Sequence, residues 1–369
     1  MNRLPIFLVG LICISCLTIG CLDSIDFERP DTIKDGIAIQ GKLVKGSPSF
    51  VRVTIRKVFD FRTAPRFISA RAVTLSDEAG NTIALNSRAE GVFFKEIQED
   101  DPTIKIDFDK SYKIRVEVFD DRIFESSLQS ILPTPTPSEL KVKRVKKNIV
   151  DGTGELVSRD DFVGFTIDTP LAVGSNTENV KLVWELEANY KITDSPETHG
   201  RASCAVTMIE RQNKVCYASF SPVTNFVPLD GTQLNVDAIS AFLLYETIIT
   251  SIFSEGYYLS VFQQSVTDEV FDYWSQVNKI TNRIGSIFEA PAGKIASNIT
   301  NIANPEEETF GYFYATEEKT IRIFVDSSFV DNPRISCPGM LSLTGQAPRE
   351  YCNCLTLENA TTEKPIWWE

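Results

Sequence analysis

The clearest pattern along the chain is an alternation of apolar and polar residues with a period of two. In the segment 50–58, the apolar residues Val51, Val53 and Ile55 alternate with charged or hydroxylated ones. The segment 111–118 repeats the same alternation. This pattern is typical of antiparallel strands that have one buried and one solvated face, so it predicts β structure in the first part of the chain.

The predicted strands are short, and turn residues separate them. The segment 77–81 reads DEAGN and predicts a hairpin turn between two apolar runs. Strands at this spacing over residues 36–132 predict an immunoglobulin-like β-sandwich. Three alternating prolines then occupy the segment 133–138. Proline donates no ladder hydrogen bond, so we expect this segment to be a stiff, extended spacer.

The remainder, residues 139–369, continues the strand pattern and predicts a larger β-rich domain. Alternation recurs at 161–167 and 181–187, and two apolar runs near 311–325 predict a closing hairpin. The apolar run within 237–255 fits either a buried strand or a buried helix, because periodicity alone does not separate them.

One amphipathic helix is predicted near residues 267–284. Thr267 is a favourable N-cap, and the two acidic residues after it suit the positive end of the helix dipole. Val270, Trp274 and Val277 form one apolar stripe, and Gly285 is placed to end the helix. The fold class predicted is therefore mainly β: an N-terminal immunoglobulin-like β-sandwich followed by a larger β-rich domain with one helix.

The N-terminus has the layout of a lipoprotein signal. Residues 1–20 combine an early arginine with an uncharged apolar run, and a glycine precedes Cys21. We expect cleavage before Cys21 and multiple acylation of that residue, palmitate included, since one short chain binds a membrane only weakly. Residues 21–35 are mostly polar and predict a tether. The alternative is an ordinary signal peptide, with Cys21 a core thiol.

The charge balance argues against two classes of partner. The chain carries 50 acidic against 37 basic residues, a formal net charge of −13. Nucleic acids and anionic lipid surfaces both require clustered positive charge, so we expect neither as a direct partner. The one basic run, at 141–147, is either a contact for a phosphate-bearing glycolipid or an acidic partner, or a strand with a charged outer face, and we favour the strand.

Cysteine use predicts disulfides, because an exported chain meets an oxidising compartment. Five cysteines follow Cys21: Cys204, Cys216, Cys337, Cys352 and Cys354. A polar turn between Cys204 and Cys216 predicts a hairpin that pairs them. Cys337 is then expected to pair with Cys352 or Cys354, which leaves one thiol over.

Candidate chemistry is sparse. The single histidine, His199, lies in a polar loop, and no phosphate-binding loop, zinc-protease motif or calcium-loop spacing occurs. Cys337, Cys352 and Cys354 with His199 make a conceivable zinc set, but oxidation favours a disulfide. We therefore predict no catalytic residue, no metal and no cofactor. A pair of carboxylates acting on glycans remains open, although the sequence nominates no pair.

The last residues contain an aromatic pair, Trp367 and Trp368. Tryptophan is enriched at the centres of protein interfaces, which makes the pair a candidate for docking a partner. The equally weighted alternative is that both rings pack into their own domain.

Several strings in the second half resemble an uncharacterised Bacteroidetes lipoprotein family, domain of unknown function 4249. They are 285–291 (GSIFEAP), 297–301 (SNITN), 304–305 (NP), 311–313 (GYF), 352–354 (CNC) and 364–368 (KPIWW). The chain departs at 355–359 (LTLEN), where the family tends to have a glycine-rich step.

The resemblance implies a location and a partner but no catalytic residues. Members of the family are often encoded beside TonB-dependent outer-membrane receptors, which implies an accessory lipoprotein of an import complex. We therefore expect a lipid-anchored outer-membrane protein that helps a barrel receptor to bind a nutrient or macromolecule. An envelope enzyme acting on glycan or peptide and an adhesin or spacer are the alternatives.

Overall fold

The structure is a computed structural model that describes residues 36–58, 66–150, 155–174, 178–194, 213–222, 225–282, 295–331, 333 and 353–368. The signal at 1–20, Cys21 and the tether at 21–35 lie outside these residues, as do His199 and Gly285.

The described residues form twenty-one strands and one α-helix. The strands are β1 (Ile37–Lys45), β2 (Ser49–Lys57), β3 (Arg66–Phe67), β4 (Ala70–Asp77), β5 (Thr82–Ala84), β6 (Asn86–Ala89), β7 (Val92–Ile97), β8 (Ser111–Val118), β9 (Ile123–Ser126), β10 (Gln129–Ser130), β11 (Glu139–Val150), β12 (Leu156–Pro170), β13 (Lys181–Thr193), β14 (Val215–Phe220), β15 (Phe226–Asp230), β16 (Ala238–Ile248), β17 (Tyr257–Ser265), β18 (Ile299–Asn301), β19 (Thr309–Phe310), β20 (Phe313–Val325) and β21 (Ala360–Thr361). The helix, α1, is Asp268–Thr281 and follows β17.

A twelve-stranded sheet is the centre of the fold. Its strand order is β21-β14-β13-β17-β20-β1-β2-β7-β6, with β15, β19 and β3 paired at the side of this path. Strand β20 is antiparallel to β17 and parallel to β1, which puts Gly41 opposite Phe313. This sheet therefore joins strands from both halves of the chain.

Two smaller sheets cover one face of the large sheet, which we call the inner face. The six-stranded sheet β18-β9-β8-β4-β5, with β10, packs on β1 and β2. The three-stranded sheet β11-β12-β16 packs on β13, β17 and the far end of β20. The mainly β fold class and the N-terminal sandwich are confirmed.

The sandwich core follows from the alternation in its strands. Val51, Val53 and Ile55 of β2 are fully buried, and they face the buried Tyr112 and Ile114 of β8. The turn at 77–81 joins β4 to β5 as predicted. The core also takes side chains from β18 and β20, so residues far along the chain complete it.

Residues Phe313–Val325 form one long strand, and the predicted hairpin near 311–325 is wrong. No glycine, proline or asparagine interrupts these residues. Phe313 lies in the sandwich core, whereas Val325 lies in a second core, between the three-stranded sheet and strands β13, β17 and β20. One strand therefore serves both cores. The apolar run within 237–255, which fitted either a strand or a helix, forms strand β16.

The proline segment 133–138 has no regular secondary structure, and it is packed against the protein and does not form a free spacer. The Thr134 side chain is buried and donates to the Glu317 backbone carbonyl at 2.7 Å, while the Thr134 amide donates to the Glu317 carboxylate at 2.8 Å. The amide of Gln263 donates to the carbonyl of Pro135 at 2.6 Å. The segment therefore crosses the inner face of the large sheet.

Helix α1 lies on the opposite, outer face of the large sheet. It buries Val270 and Trp274 against Val183 and Tyr314. It ends at Thr281, earlier than the predicted 284, and the Thr267 side chain makes no capping hydrogen bond. The Thr267 carbonyl still accepts the first helical bond, from Phe271, so the position of the helix start is confirmed.

The C-terminal segment, residues 353–368, folds around the β14 edge of the sheet. A disulfide joins Cys216 to Cys354, with a Cα–Cα distance of 5.9 Å. The predicted pairing of Cys216 with Cys204 is therefore wrong, and Cys354 is not available to Cys337. Cys204, Cys337 and Cys352 lie outside the described residues.

Candidate functional site

A cleft of about 610 Å³ opens on the outer face of the large sheet, between helix α1 and strands β1 and β2. Its volume falls within the roughly 300–1,000 Å³ typical of small-molecule sites. Strands β13, β17 and β20 contribute its floor. Because β1 and β20 pair in the middle of the sheet, the cleft collects side chains from distant parts of the sequence.

The centre of the floor is an ionic cluster built on Lys42. Its ammonium nitrogen lies 2.6 Å from a carboxylate oxygen of Glu185 and 2.8 Å from one of Glu318. The three side chains are 20%, 28% and 10% exposed, so the cluster is partly shielded from water. Burial alone would lower the pKa of Lys42, but the two carboxylates outweigh it and raise that pKa well above its usual value.

Strand geometry explains why these three side chains meet. Lys42 alternates with the buried Leu43, and Glu185 follows the buried Trp184, so both charged residues point to the outer face. The side-chain amide of Gln264 joins them by donating to Glu318 at 3.1 Å. The cluster therefore ties β1 to β13, β17 and β20.

Tyr314 lies beside this cluster and is almost completely buried. Burial raises the pKa of its hydroxyl, and the nearby Lys42 opposes this only in part. Tyr314 therefore stays neutral at physiological pH and contributes a hydrogen-bonding group of fixed charge state.

The β2 wall of the cleft carries two exposed arginines, Arg52 and Arg56, with Thr54 between them. Neither arginine has a carboxylate partner among the residues that the structure describes. The Arg56 guanidinium lies 4.9 Å from the ring centre of Phe67, which covers one of its faces. This wall is therefore positively charged, although the whole chain is acidic.

The helical wall is largely aromatic. Tyr273, Trp274 and Val277 of α1 line it, and Phe226 stacks on Trp274 with a ring-centre distance of 3.5 Å. Trp274 is buried by this stacking, while Tyr273 and the neighbouring Phe262 on the floor keep part of their surface open. The cleft thus combines a cationic wall, an ionic floor and an apolar wall.

Of the aromatic pair predicted to dock a partner, one ring is part of the fold. Trp368 is only 6% exposed, and its ring centre lies 5.1 Å from that of Tyr217 and 4.9 Å from that of Tyr258. Trp367 is partly exposed and lies under the Arg322 guanidinium at 4.8 Å. Trp368 therefore packs into its own domain. That Trp367 docks a partner stays a prediction.

The basic run at 141–147 forms part of strand β11, as the strand interpretation predicts. Leu140 is buried in the second core, and Val142 packs against it. The Lys141 ammonium pairs with Asp168 at 2.6 Å, and Arg144 pairs with Asp161. Internal carboxylates therefore neutralise part of this run.

The residues that the structure describes contain no group of three or more histidine, cysteine or acidic side chains placed to hold a metal. The conceivable zinc set loses Cys354 to its disulfide with Cys216, because a sulfur bonded to sulfur is not a thiolate ligand. Its other three members lie outside the described residues. Within the described chain, no helix has both the length and the apolarity needed to cross a membrane.

The sequence did not single out Lys42, Glu185 or Glu318 as site residues. The alternation around Trp184 was sufficient to place Glu185 on the outer face. The contact between Lys42 and Glu318, however, depends on the parallel pairing of β1 with β20, and no local pattern encodes that pairing.

Comparison with protein families identifies a match over most of the chain. The family described as "Domain of unknown function (DUF4249)" matches residues 23–322, which is most of the chain. No curated protein matches the chain.

Proposed function

Because the chain belongs to the DUF4249 family, whose description assigns no activity, we propose a function from the site: a lipid-anchored outer-membrane binding protein that works beside a TonB-dependent receptor. It binds a nutrient in the cleft on the outer face of the large sheet and passes it to the receptor. The anchor is the acylated Cys21.

The cleft is the observation that carries this proposal. Its volume suits a small ligand or one segment of a larger one, and its walls offer both charged and aromatic contacts. The ionic floor is already satisfied by internal partners, since Lys42 is held by Glu185 and Glu318. Such a floor is rigid before any ligand arrives, and preorganisation of this kind favours binding.

The C-terminal segment is the proposed contact for the receptor. Ile366 is fully exposed, and Trp367 beside it keeps part of its ring open. The buried Trp368 and the Cys216–Cys354 disulfide hold these two residues in place at one edge of the sheet. A fixed aromatic and aliphatic pair is the kind of anchor that interface centres use.

The receptor association is tested by purifying the tagged full-length lipoprotein from detergent-solubilised outer membrane and identifying its partners by mass spectrometry. We expect a stoichiometric TonB-dependent receptor, and reduced recovery of that receptor with the variant I366S/W367S. Isolation of the lipoprotein alone, under conditions in which known receptor complexes survive, would overturn this function.

The anchor is tested separately by metabolic labelling with a palmitate analogue. We expect Cys21→Ala to abolish the label and to release the protein from the membrane fraction. Cys16→Ala is the matched control, because it removes a neighbouring thiol within the signal and leaves Cys21 intact. Equal labelling of both variants would contradict the lipoprotein assignment.

The second candidate function is a glycan-acting enzyme, since Glu185 and Glu318 are two carboxylates at the floor of a cleft. Catalysis of glycoside hydrolysis needs one carboxyl to donate a proton and the other to attack or to activate water. Here both carboxylates are paired with the same ammonium, which favours binding over catalysis. If the wild type released reducing ends from oligosaccharides and Glu185→Gln did not, the enzyme would become the favoured function.

A further inference from the structure

The two arginines of the cleft indicate what charge the ligand carries. In the antiparallel pairing of β1 with β2, Arg52 lies directly opposite Lys42. Like charges in such a pair are unfavourable unless each is compensated. Lys42 is compensated by two carboxylates, whereas Arg52 has none among the described residues. The free guanidinium therefore favours an anion in the cleft.

Arg56 strengthens this argument. It lies two positions along the same strand from Thr54 and four from Arg52, so both guanidinium groups project from one face of β2. Its ring contact with Phe67 orients the guanidinium without using its N–H donors. A single arginine can bind a planar carboxylate through two parallel hydrogen bonds, so each of the two arginines can hold one carboxylate.

The rest of the cleft indicates a ligand with hydroxyl groups and at least one apolar face. Gln40 and Thr54 are directly opposite in the β1–β2 register, and their side chains make no hydrogen bond within the described chain. Glu187 on the floor accepts one bond, from Asn189, and keeps further acceptor positions. These three polar side chains suit a hydroxylated body, while Phe262 and Tyr273 offer apolar surface to one side of it.

We propose that the cleft binds a carboxylate-bearing saccharide, such as a short uronic acid oligomer, with one of its carboxylates on Arg52 and another on Arg56. The sugar hydroxyls bond to Gln40, Thr54 and Glu187. This inference rests on the proposed function as a binding protein, and it adds the class of ligand to it. A neutral sugar would leave both arginines without a directly paired carboxylate among the described residues.

The test is isothermal titration calorimetry of the full-length protein in detergent with galacturonate oligomers, and with galactose oligomers of the same length. We expect the acidic oligomers to bind at least tenfold more tightly than the neutral ones. Binding should weaken as salt rises, because part of the attraction is ionic.

The variant R52Q/R56Q should lose at least tenfold in affinity for the acidic oligomers. Both arginines are exposed, so this variant should unfold at the same temperature as the wild type. Arg88→Gln is the matched control, since Arg88 is also exposed on this sheet, contacts the Phe94 ring at 4.4 Å and lies outside the cleft. Arg52→Lys should lose less than Arg52→Gln, because it keeps the charge without the planar fork.

Equal affinity for acidic and neutral oligomers would overturn the inference, as would undiminished binding by R52Q/R56Q or no binding of any uronate. If the protein binds neutral oligomers and co-purifies with the receptor, the inference about the ligand class is wrong, but the proposed function stands. If the protein binds uronates through Arg52 and Arg56 but no receptor co-purifies with it, the ligand inference is supported and the proposed association with a receptor is wrong.

Discussion

The two faces of the large sheet use the same alternating strands in opposite ways. On the inner face, Leu43, Val53 and Trp184 are completely buried beneath the smaller sheets. On the outer face, Lys42 and Glu185, each one residue away, form an ionic cluster at the floor of a cleft. Neighbouring residues of one strand therefore have different roles: one side chain stabilises the fold, and the next is available to bind a ligand.

The inner face also shows that burial does not exclude polar groups when they are paired. The Trp184 indole N–H donates to the side-chain carbonyl of Gln263 at 2.8 Å, and the Gln263 amide donates to Pro135. This network lies where the proline segment crosses between the two smaller sheets. Its groups are satisfied internally, so it fixes the position of the segment instead of offering a binding site.

The largest effect is expected from Trp184→Ala. Truncation of a fully buried tryptophan leaves a cavity and an unpaired Gln263 carbonyl, so the free energy of unfolding should fall by about 3–5 kcal/mol. Phe262→Ala, on the outer face of the adjacent strand, removes a partly exposed ring and should cost less than about 2 kcal/mol. Urea denaturation of both variants measures the difference, and equal losses would contradict the distinction between the faces.

The next effect concerns the edge at which the C-terminal segment passes from one face to the other. Cys216 alternates with Tyr217, so the disulfide to Cys354 and the ring contact to Trp368 lie on opposite faces. The bond joins residues 138 apart in sequence. Removing it with C216A/C354A should lower the free energy of unfolding by about 2–4 kcal/mol, measured by denaturation without reductant.

Trp368→Ala tests whether both faces contribute at this edge. We expect a measurable loss of stability that is not simply additive with that of C216A/C354A, because both contacts hold the same segment through the adjacent residues Cys216 and Tyr217. A denaturation curve for Trp368→Ala that matches the wild type would show that the disulfide alone holds the segment.

Local alternation was sufficient to predict the strands β2 and β8 and the sandwich around them. It failed where long-range pairing decides the outcome. The cysteine at 216 has a sequence neighbour at 204, yet its partner is Cys354, which only the folding of the C-terminal segment brings close. The run 311–325 contains two apolar ends that suggested a hairpin, but each end enters a different core.

The candidate site was missed for the same reason. From the local sequence, each of its residues looks like an ordinary outward-facing residue of a strand. Lys42 meets Glu318 only because β20 crosses the molecule to pair with β1, and 276 residues separate the two. The sequence showed that Arg52 and Arg56 lie on the outer face of a strand. It did not show that this face lines a cleft.

An intermediate effect is expected from Lys42→Met, which leaves two carboxylates facing each other without an ammonium. Since the cluster is partly shielded from water, the free energy of unfolding at pH 7 should fall by about 1–3 kcal/mol. Adding E185Q/E318Q should recover part of this loss by removing the repulsion. If the triple variant were less stable than Lys42→Met, repulsion would not be the cause.

The same cluster predicts how wild-type stability responds to alkali. The pKa of Lys42 is higher in the folded protein than the value of about 10.4 in an unfolded chain. The stabilisation is therefore complete below about pH 10 and is lost as pH rises through the folded pKa. Stability measured from pH 8 to 11 should fall less steeply in Lys42→Met than in the wild type, and parallel curves would contradict the assignment.

The smallest effect is expected from an ionic cluster whose cations are more exposed to water than Lys42. On the outward face of β8, Lys113 and Arg115 both bind the carboxylate of Glu125 at 2.8 Å, and hydrogen bonding to Lys113 contributes most to lowering the pKa of that carboxyl. The distances match those at Lys42, but water reaches these cations, which are 37% and 34% exposed. Glu125→Gln should therefore cost less than about 1 kcal/mol, and 0.5 M salt should remove most of that cost. If Glu125→Gln cost as much as Lys42→Met, charge pairing alone would explain both clusters, and the shielding of the cleft floor would not matter.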